Sequence, residues 1–240
     1  MPLLNQLRWI WQQCLPSPCL WCQLPVDHHQ QLLCPYCQQA LPQLPYELCH
    51  YNLLWLPAVR AGLTDTAFER LLSVGWYHLP LQHWIRRWKF HGDHFAGELL
   101  QQLFIALLQQ YQQRQLPLPD AIMYVPMTPK KQRKRGFNQA QLLAECAATF
   151  LQLPLLHVLK RNKDSPSQVG LNRQQRQRNL AGVYSLSKPT VLPKHIALVD
   201  DVVTTGTTAN QLARLLKQQG VTALSLWTLA ITPQADHSSG

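Results

Sequence analysis

The chain of 240 residues is long enough for one large domain, or for one domain with a small additional module. Its hydrophobic content of 46% is sufficient for a packed core, and no apolar run approaches the length of a membrane-spanning helix. Because residues 1–20 also lack a basic start followed by an apolar stretch, we expect a cytoplasmic protein that is not integral to a membrane.

The net charge of +10 is distributed unevenly along the chain. Residues 130–178 contain eleven of the 22 basic residues, whereas Glu145 and Asp164 are the only acids in that range. This concentration of positive charge favours a polyanionic partner, such as a pyrophosphate, a nucleic acid or both. An ordinary basic surface without a dedicated partner is the alternative interpretation.

The N-terminal part of the chain combines a short amphipathic pattern with a cluster of cysteines. Apolar residues recur at helical spacing over residues 3–12, which predicts a short helix. Six of the seven cysteines precede residue 50, and in a cytosolic chain this clustering favours metal binding over disulfides. Two CxxC pairs, separated by eleven residues, would supply four thiolates to one tetrahedral Zn²⁺ ion. These candidate ligands are Cys19, Cys22, Cys34 and Cys37.

Four thiolates leave no open coordination position, so we expect a structural and not a catalytic zinc ion. A redox or free-thiol role is the alternative, although neither CxxC pair opens a helix in a βαβ unit. Cys14, Cys49 and His50 are surplus to a four-ligand site, and they are either remnants of a second site or alternative ligands.

Between residues 50 and 114 the pattern predicts a linker or strap over 50–62, a strand over 71–77, an amphipathic turn or two within 81–92 and a long helix over 94–114. The segment 81–92 has a basic, aromatic end, which allows two interpretations. Trp84, Trp88 and Phe90 could stack on bases, with the neighbouring cations on phosphates. Helical spacing favours the other interpretation, in which Trp84, Ile85 and Trp88 belong to the core.

A second buried strand is expected over residues 121–126, and a dense cationic run follows it directly. Asn138 is a plausible N-cap for the next helix, so the cationic run should form a loop at the carboxyl end of the strand. Neutralising a pyrophosphate is the natural role of such a loop. Its cations are Lys130, Lys131, Arg133, Lys134 and Arg135.

A second basic stretch covers residues 160–180 and includes Arg173 and Arg176. Its Ser, Pro and Gly residues are typical of a mobile loop, which we interpret as a cationic lid, with an ordinary surface loop as the alternative. A short β element over 183–186 and a last buried strand over 222–228 should follow, and the residues after 233 should be disordered.

The stretch around residues 195–220 carries the strongest chemical signal in the chain. It runs from an apolar strand through Asp200 and Asp201 to a turn rich in threonine, and then into a helix that ends near Gly220. Threonine hydroxyls and backbone N–H groups at a helix start suit a phosphate monoester, and Gly206 would allow close approach of the backbone. The carboxylates can accept hydrogen bonds from vicinal sugar hydroxyls. The stretch therefore predicts a site for ribose and its 5′-phosphate, with simple helix capping as the alternative.

The segment Leu198–Thr208 resembles the phosphoribosyl-pyrophosphate (PRPP) signature of type I phosphoribosyltransferases. The resemblance implies that Asp200 and Asp201 hold the ribose hydroxyls. It also implies that the turn holds the 5′-phosphate through Val203, Thr204, Thr205, Gly206, Thr207 and Thr208.

The order of the motifs along nearly the whole chain resembles the ComF/GntX family of phosphoribosyltransferase-like proteins. These motifs are the CxxC pairs, the segment 135–139, Ser167-Gln168 with Arg176 and Asn179-Leu180, and the acidic pair with its turn. The resemblance implies an α/β fold with a mainly parallel, Rossmann-like sheet flanked by helices, preceded by a small zinc-ribbon-like module. We expect the module over residues 1–56, the phosphoribosyltransferase-like domain over 57–232 and a flexible tail over 233–240. The resemblance to this family also implies a role in natural competence, DNA uptake and DNA utilisation.

Two functions fit this resemblance. In the first, the protein binds PRPP or a related phosphoribosyl ligand and handles single-stranded DNA, in contact with proteins of the DNA-uptake machinery. In the second, it is an active phosphoribosyltransferase that releases pyrophosphate from PRPP, with Mg²⁺ on the ribose and pyrophosphate oxygens. Because no general base for an acceptor stands out, we favour the first function, and the catalytic residues remain unassigned.

Overall fold

A computed structural model of the chain describes residues 17–26, 31–63, 65–162, 182–187 and 191–232. Seven helices occur in these ranges, α1 to α7: Pro35–Gln39, Pro57–Gly62, Leu81–His91, His94–Gln113, Pro129–Arg135, Gln139–Leu151 and Thr207–Gln218. A 3₁₀ turn spans Leu53–Trp55. The strands β1 to β6 span Arg70–Trp76, Ala121–Tyr124, Leu159–Arg161, Tyr184–Leu186, His195–Val203 and Ala223–Ile231.

Four of the strands form a parallel sheet in the order β1-β6-β5-β2. The two central strands carry continuous buried runs, 196–199 in β5 and 224–231 in β6, as expected for parallel strands that are covered on both faces. Helix α6 packs against β2 and β5, and α4 packs against β1 and α6. The predicted α/β fold with a mainly parallel sheet flanked by helices is therefore confirmed.

The remaining two strands, β3 and β4, form a separate antiparallel ribbon. Strand β4 packs against α7, the helix that follows the acidic pair. The predicted β element near residues 183–186 is thus present, and it lies beside the helix of the candidate phosphate site.

The cysteine-rich segment packs closely against the main sheet and its first long helix. The indole Nε1 of Trp84 donates a hydrogen bond of 3.3 Å to the backbone carbonyl of Leu20, and Trp21 meets Trp84 edge to face at 5.9 Å. The hydroxyl of Tyr46 donates to the carbonyl of Ser73 and accepts from its backbone N–H at 2.8 Å. Contacts from both ends of the segment therefore fix the cysteine module on α3 and β1.

The interpretation of residues 50–62 as a linker or strap is wrong. These residues form the 3₁₀ turn and α2, with Leu53 and Val59 buried. Asn52 anchors the segment to the start of β1, because its amide donates to the Glu69 carbonyl at 2.9 Å and accepts from the Leu71 N–H at 3.1 Å. A buried side chain that satisfies two neighbouring backbone groups makes this segment part of the domain core.

The predicted loop over Lys130–Arg135 is a helix, α5. Thr128 caps it by accepting a hydrogen bond from the Lys131 N–H, Pro129 occupies its first turn, and Gly136 ends it in the left-handed conformation. These are ordinary helix start and stop signals, so the prediction of a loop is wrong.

Some predictions fall outside the described residues: the helix over 3–12, Cys14, most of the cationic stretch 160–180 with Arg173 and Arg176, and the tail after 233. Within the described part of the chain, none of the helices combines the length and the apolar character that crossing a membrane requires.

Candidate functional site

The acidic pair lies inside β5, near its carboxyl end. The strand continues through Asp200 and Asp201 as far as Val203, and Asp200 is in register with Thr228 on β6. The carboxylate of Asp200 accepts a hydrogen bond of 2.8 Å from the Asp201 N–H, and that of Asp201 accepts one of 2.8 Å from the Val202 N–H. Both carboxyl groups are thus held at the edge where open α/β sheets bind ligands.

The threonine-rich turn closes a small cavity next to Asp200. The cavity has a volume of about 70 Å³ and is lined by Asp200 and by the residues from Val202 to Ala209. Ligand pockets in proteins usually measure ~300–1,000 Å³, so this one suits a single small group such as a phosphate. Thr204 and Thr205 are exposed, Thr207 and Thr208 are half-buried, and the hydroxyls of Thr205 and Thr207 lie 2.9 Å apart.

The turn depends on Gly206, whose φ of +67° lies in the left-handed region that favours glycine. Gly206 is the N-cap of α7, and a Cβ atom there would lie 3.0 Å from the Leu63 Cδ2. Asn210, on the first turn of α7, accepts a hydrogen bond of 2.7 Å from the Ala67 N–H. The segment before β1 therefore supports the turn from behind.

Lys89 belongs to the site, and its pairing with Asp201 was not predicted from the sequence. Its ammonium group lies 2.7 Å from the Asp201 carboxylate, and the two side chains are 26% and 14% exposed. The cations next to Trp84, Trp88 and Phe90, which the sequence offers for phosphate contacts, are Arg86, Arg87 and Lys89, and the structure gives them different surroundings. Arg87 pairs with Asp93 at 2.7 Å, and Lys89 alone of the three is paired with the acidic pair.

The surroundings of Asp200 raise the pKa of its carboxyl group. Burial and the neighbouring Asp201 carboxylate raise the pKa of Asp200 to about 7, although the Asp201 N–H, Lys89 and Arg161 act in the opposite direction. Tyr184, on β4, is buried. Burial raises the pKa of Tyr184, while the Arg161 and Thr208 side chains lower it and the Asp200 carboxylate raises it, so β4 borders this side of the site.

Three consecutive residues at the end of α3 join three parts of the site. Trp88 stacks on Phe137, with ring centroids 5.8 Å apart, and Lys89 pairs with Asp201. The Phe90 ring lies under the guanidinium of Arg135, at 5.9 Å. The last turn of α3 thus connects the acidic pair to the cationic helix α5.

Helix α5 follows the carboxyl end of β2, and β2 is a parallel neighbour of β5, so the helix begins at the same sheet edge as the acidic pair. Asn138 caps α6 through the Ala140 N–H, as predicted, and its amide donates to the Val125 carbonyl at 3.1 Å. Arg135 donates to the Gln139 side chain at 2.9 Å and is half-buried. The other cations of α5 are exposed: Lys130, Lys131, Arg133 and Lys134.

The four predicted metal ligands converge in space. The sulfur atoms of Cys19, Cys22, Cys34 and Cys37 all lie within 4.8 Å of one another, and Cys22 and Cys34 are 3.6 Å apart. Four thiolates at ~2.3 Å around one tetrahedral Zn²⁺ would be about 3.8 Å apart, so the donor set fits such an ion. Backbone N–H groups of Trp21 and Cys37 point at the sulfurs of Cys19 and Cys34, each at 3.5 Å.

Of the surplus candidates, Cys49 and His50 do not join this cluster, and Cys14 lies outside the described residues. Cys49 is buried and donates to the Tyr46 carbonyl at 3.7 Å, and His50 packs edge to face on Trp55. Without a cation the four clustered thiols cannot all ionise. Burial raises the pKa of Cys19, but backbone N–H groups outweigh it and bring that pKa to about 6, whereas burial and the other three cysteines raise the pKa of Cys37 to about 12. A bound metal ion would remove this conflict.

No family model matches the chain, but it is similar to several curated proteins. It is 33% identical to competence protein F of Haemophilus influenzae over 225 residues, which cover 88% of this chain and 96% of that protein. It is 30% identical to the DNA utilization protein YhgH of Escherichia coli over 227 residues, or 91% and 98% of the two chains. The competence protein ComFC of Streptococcus pneumoniae is 31% identical over 153 residues, 64% of each chain.

Proposed function

Because this chain belongs to the ComF family, we propose that it binds PRPP or a related phosphoribosyl ligand and handles single-stranded DNA during DNA uptake or utilisation. The observation that carries the proposal is the small cavity beside Asp200, enclosed by the threonine turn at the start of α7. We place this activity in the cytoplasm, in contact with proteins of the DNA-uptake machinery.

The geometry supports the sugar-phosphate part of the proposal. A cavity of about 70 Å³ is large enough for a phosphate, and the N-terminus of a twelve-residue helix directs backbone N–H groups towards it. Asp200 lines the cavity and Asp201 follows it on β5, and we infer that their carboxylates accept hydrogen bonds from the hydroxyls of an attached ribose. Lys89 keeps a positive charge against Asp201, so the acidic pair does not present two uncompensated charges to an anionic ligand.

The charge distribution supports the DNA part. Exposed cations project from α5, which is joined to the acidic pair through the end of α3. Binding of a phosphate backbone to such a surface is electrostatic and independent of sequence. The names of the relatives, competence protein and DNA utilization protein, are consistent with this role.

We also propose that the four clustered cysteines bind one structural Zn²⁺ ion, since their sulfur atoms are as close together as a tetrahedral site requires. The ion would hold the knuckles around Cys19 and Cys34 together, and these carry the Leu20 and Trp21 contacts to α3.

One observation favours the second candidate function, transfer of phosphoribose from PRPP to an acceptor. The cationic helix α5 begins five residues after β2, at the same sheet edge as the acidic pair, where the leaving pyrophosphate would need neutralisation. Mg²⁺ on the ribose and pyrophosphate oxygens would assist this neutralisation. Release of pyrophosphate from PRPP with any nucleobase would establish this function, and Asp201→Asn should abolish it.

Calorimetric titration with PRPP, with and without Mg²⁺, tests the proposed ligand. We expect binding to the wild type and at least a tenfold loss in Asp200→Asn/Asp201→Asn. The control is Asp65→Asn, because the Asp65 side chain is 89% exposed and pairs only with Arg214 in the described structure. Equal affinity of the wild type and the double variant would contradict the assignment of the site.

A parallel titration with a single-stranded oligonucleotide tests the DNA part. Affinity should fall steeply with salt concentration, and Arg133→Glu/Arg135→Glu should flatten that dependence. Binding that is unchanged by charge reversal would count against α5 as the DNA surface.

A further inference from the structure

The end of α3 presents an aromatic side chain that the core does not use. Trp84 and Trp88 are 1% and 3% exposed, which confirms that they belong to the core, whereas Phe90 is 65% exposed. Of the three aromatic residues considered for base stacking, the structure therefore leaves only Phe90 available to a partner.

We propose that Phe90 is a stacking platform for a base of single-stranded DNA, with the strand's phosphates on the cations of α5. The inference rests on the proposed DNA-handling function and names the residue that contacts a base. Proteins that bind single strands without sequence preference combine a positively charged surface with aromatic rings on which bases stack.

Arg135 places a positive charge next to the Phe90 ring. Its guanidinium lies 5.9 Å from the centroid of the Phe90 ring, and its hydrogen bond of 2.9 Å to Gln139 fixes its position. A guanidinium near an aromatic ring adds cation–π attraction and a positive charge for the phosphate next to the stacked base. The exposed cations of the same helix extend that charge away from the ring.

Phe95 is as exposed as Phe90 but lacks its cationic neighbour in the described part of the chain, so exposure alone does not identify a stacking platform. It is 63% exposed, on the first turn of α4, but no guanidinium lies over its ring within the described residues. The two phenylalanines are thus matched in residue type and exposure and differ in their cationic surroundings. This makes Phe95 the control for Phe90.

The position of Phe90 also relates the DNA surface to the sugar-phosphate site. Its neighbour Lys89 pairs with Asp201, and Trp88 packs on Phe137 beside α5. The two residues that precede Phe90 are therefore held in place by these contacts, and a stacked base would meet a preorganised ring.

Fluorescence anisotropy with two labelled 12-mers, oligo(dT) and an oligomer of the same length without bases, tests the inference. Stacking is worth ~1–3 kcal/mol per base, so Phe90→Ala should weaken oligo(dT) binding roughly 5- to 150-fold. The salt dependence should stay as steep as in the wild type, because the phosphate contacts remain. Phe90→Trp should retain affinity, Phe90→Leu should lose it as Phe90→Ala does, and Phe95→Ala should change it less than about twofold.

The possible results distinguish a failure of the Phe90 platform from a failure of the proposed DNA-handling function. If the wild type binds neither oligomer, the DNA-handling proposal fails, and the platform fails with it. If the wild type binds but Phe90→Ala and Phe90→Leu bind oligo(dT) as tightly, the platform is wrong and the DNA function stands. Equal losses on the oligomer without bases would also overturn it, because stacking requires a base.

Discussion

Lys89 on α3 and Asp201 on β5 form an ion pair with a separation of 2.7 Å between the ammonium nitrogen and the carboxylate oxygen. Both side chains are largely shielded from water, so the interaction is less screened than an ordinary surface ion pair. The pair fixes the end of α3 against the sheet edge, where the acidic pair and the threonine turn also lie.

Replacing Lys89 with Gln should lower the free energy of unfolding by about 1–3 kcal/mol, because the Asp201 carboxylate loses a charged hydrogen bond. Arg86→Gln, at an exposed position of the same helix, should change it by less than about 0.5 kcal/mol. Urea denaturation of both variants measures the difference. The double variant Lys89→Gln/Asp201→Asn should lose less than the sum of the single variants, and strict additivity would contradict a direct pair.

The stability of the protein should depend on pH through Asp200. Burial, and after it the Asp201 carboxylate, raise the pKa of Asp200 from its ordinary 3.8 to about 7. An acid whose pKa is raised on folding binds more protons in the folded than in the unfolded chain between these two values. Its contribution to stability therefore decreases as the pH rises from about 4 to about 7, by on the order of a few kcal/mol in total.

Asp200→Asn removes this titration, so the variant should gain stability relative to the wild type as the pH rises from 5 to 8. Unfolding free energies of both proteins at four pH values in that range provide the measurement. Asp65→Asn, at an exposed carboxylate, controls for the general effect of losing one negative charge. A difference between wild type and Asp200→Asn that stays constant over this range would show that Asp200 is not protonated near neutral pH.

Local signals in the sequence predicted the turn at residues 204–206 and the cysteine cluster. Glycine among threonines at the start of a helix pattern predicted a turn that allows close approach of the backbone, and in the structure Gly206 adopts a left-handed φ of +67°. The CxxC spacing indicated four converging sulfurs, and the four sulfur atoms lie within 4.8 Å of one another. Both signals are short in sequence, so the chemistry and the geometry are encoded in the same few residues.

The pairing of Lys89 with Asp201 could not be predicted in the same way. Helical periodicity places Lys89 beside the apolar face of α3, but it does not say which strand that face meets. The partner lies more than a hundred residues further along the chain, and only the packing of α3 on the sheet brings the two together. The loop prediction for residues 130–135 is wrong for another reason. A dense run of like charges is typical of a solvated loop, but Thr128, Pro129 and Gly136 are start and stop signals of a short helix.

Metal content should distinguish the ligands from the other cysteines. The wild type should contain about one zinc ion per chain, and Cys34→Ser should contain none, because three thiolates leave the tetrahedral site incomplete. Cys49→Ser and Cys146→Ser should keep the ion, since neither sulfur belongs to the cluster. Elemental analysis of the purified variants gives the counts.

Removing the metal should also loosen the module from α3. A chelator should lower the melting temperature of the wild type and change the tryptophan fluorescence, because Trp21 packs on Trp84 next to the Cys19 and Cys22 knuckle. A metal-free wild type, or a Cys49→Ser variant without zinc, would contradict the assigned ligand set.

Gly206→Ala should impair binding of the sugar phosphate more than it impairs folding. The left-handed backbone costs a non-glycine residue about 1–2 kcal/mol, and the added Cβ would lie 3.0 Å from the Leu63 Cδ2. The turn or the Leu63 side chain must therefore shift, and a shift of the turn displaces the threonine hydroxyls and the N–H groups at the start of α7. We expect PRPP affinity to fall at least tenfold in calorimetric titration.

Gly220→Ala is the matched control, because Gly220 also has a positive φ, of +92°, and no atom lies within 4 Å of its added Cβ. It should reduce stability by a similar backbone penalty and leave PRPP affinity unchanged, since it lies at the opposite end of α7 from the turn. Adding Leu63→Ala to Gly206→Ala should restore part of the affinity by removing the close contact. If Gly206→Ala binds PRPP as tightly as the wild type, the turn does not hold the phosphate.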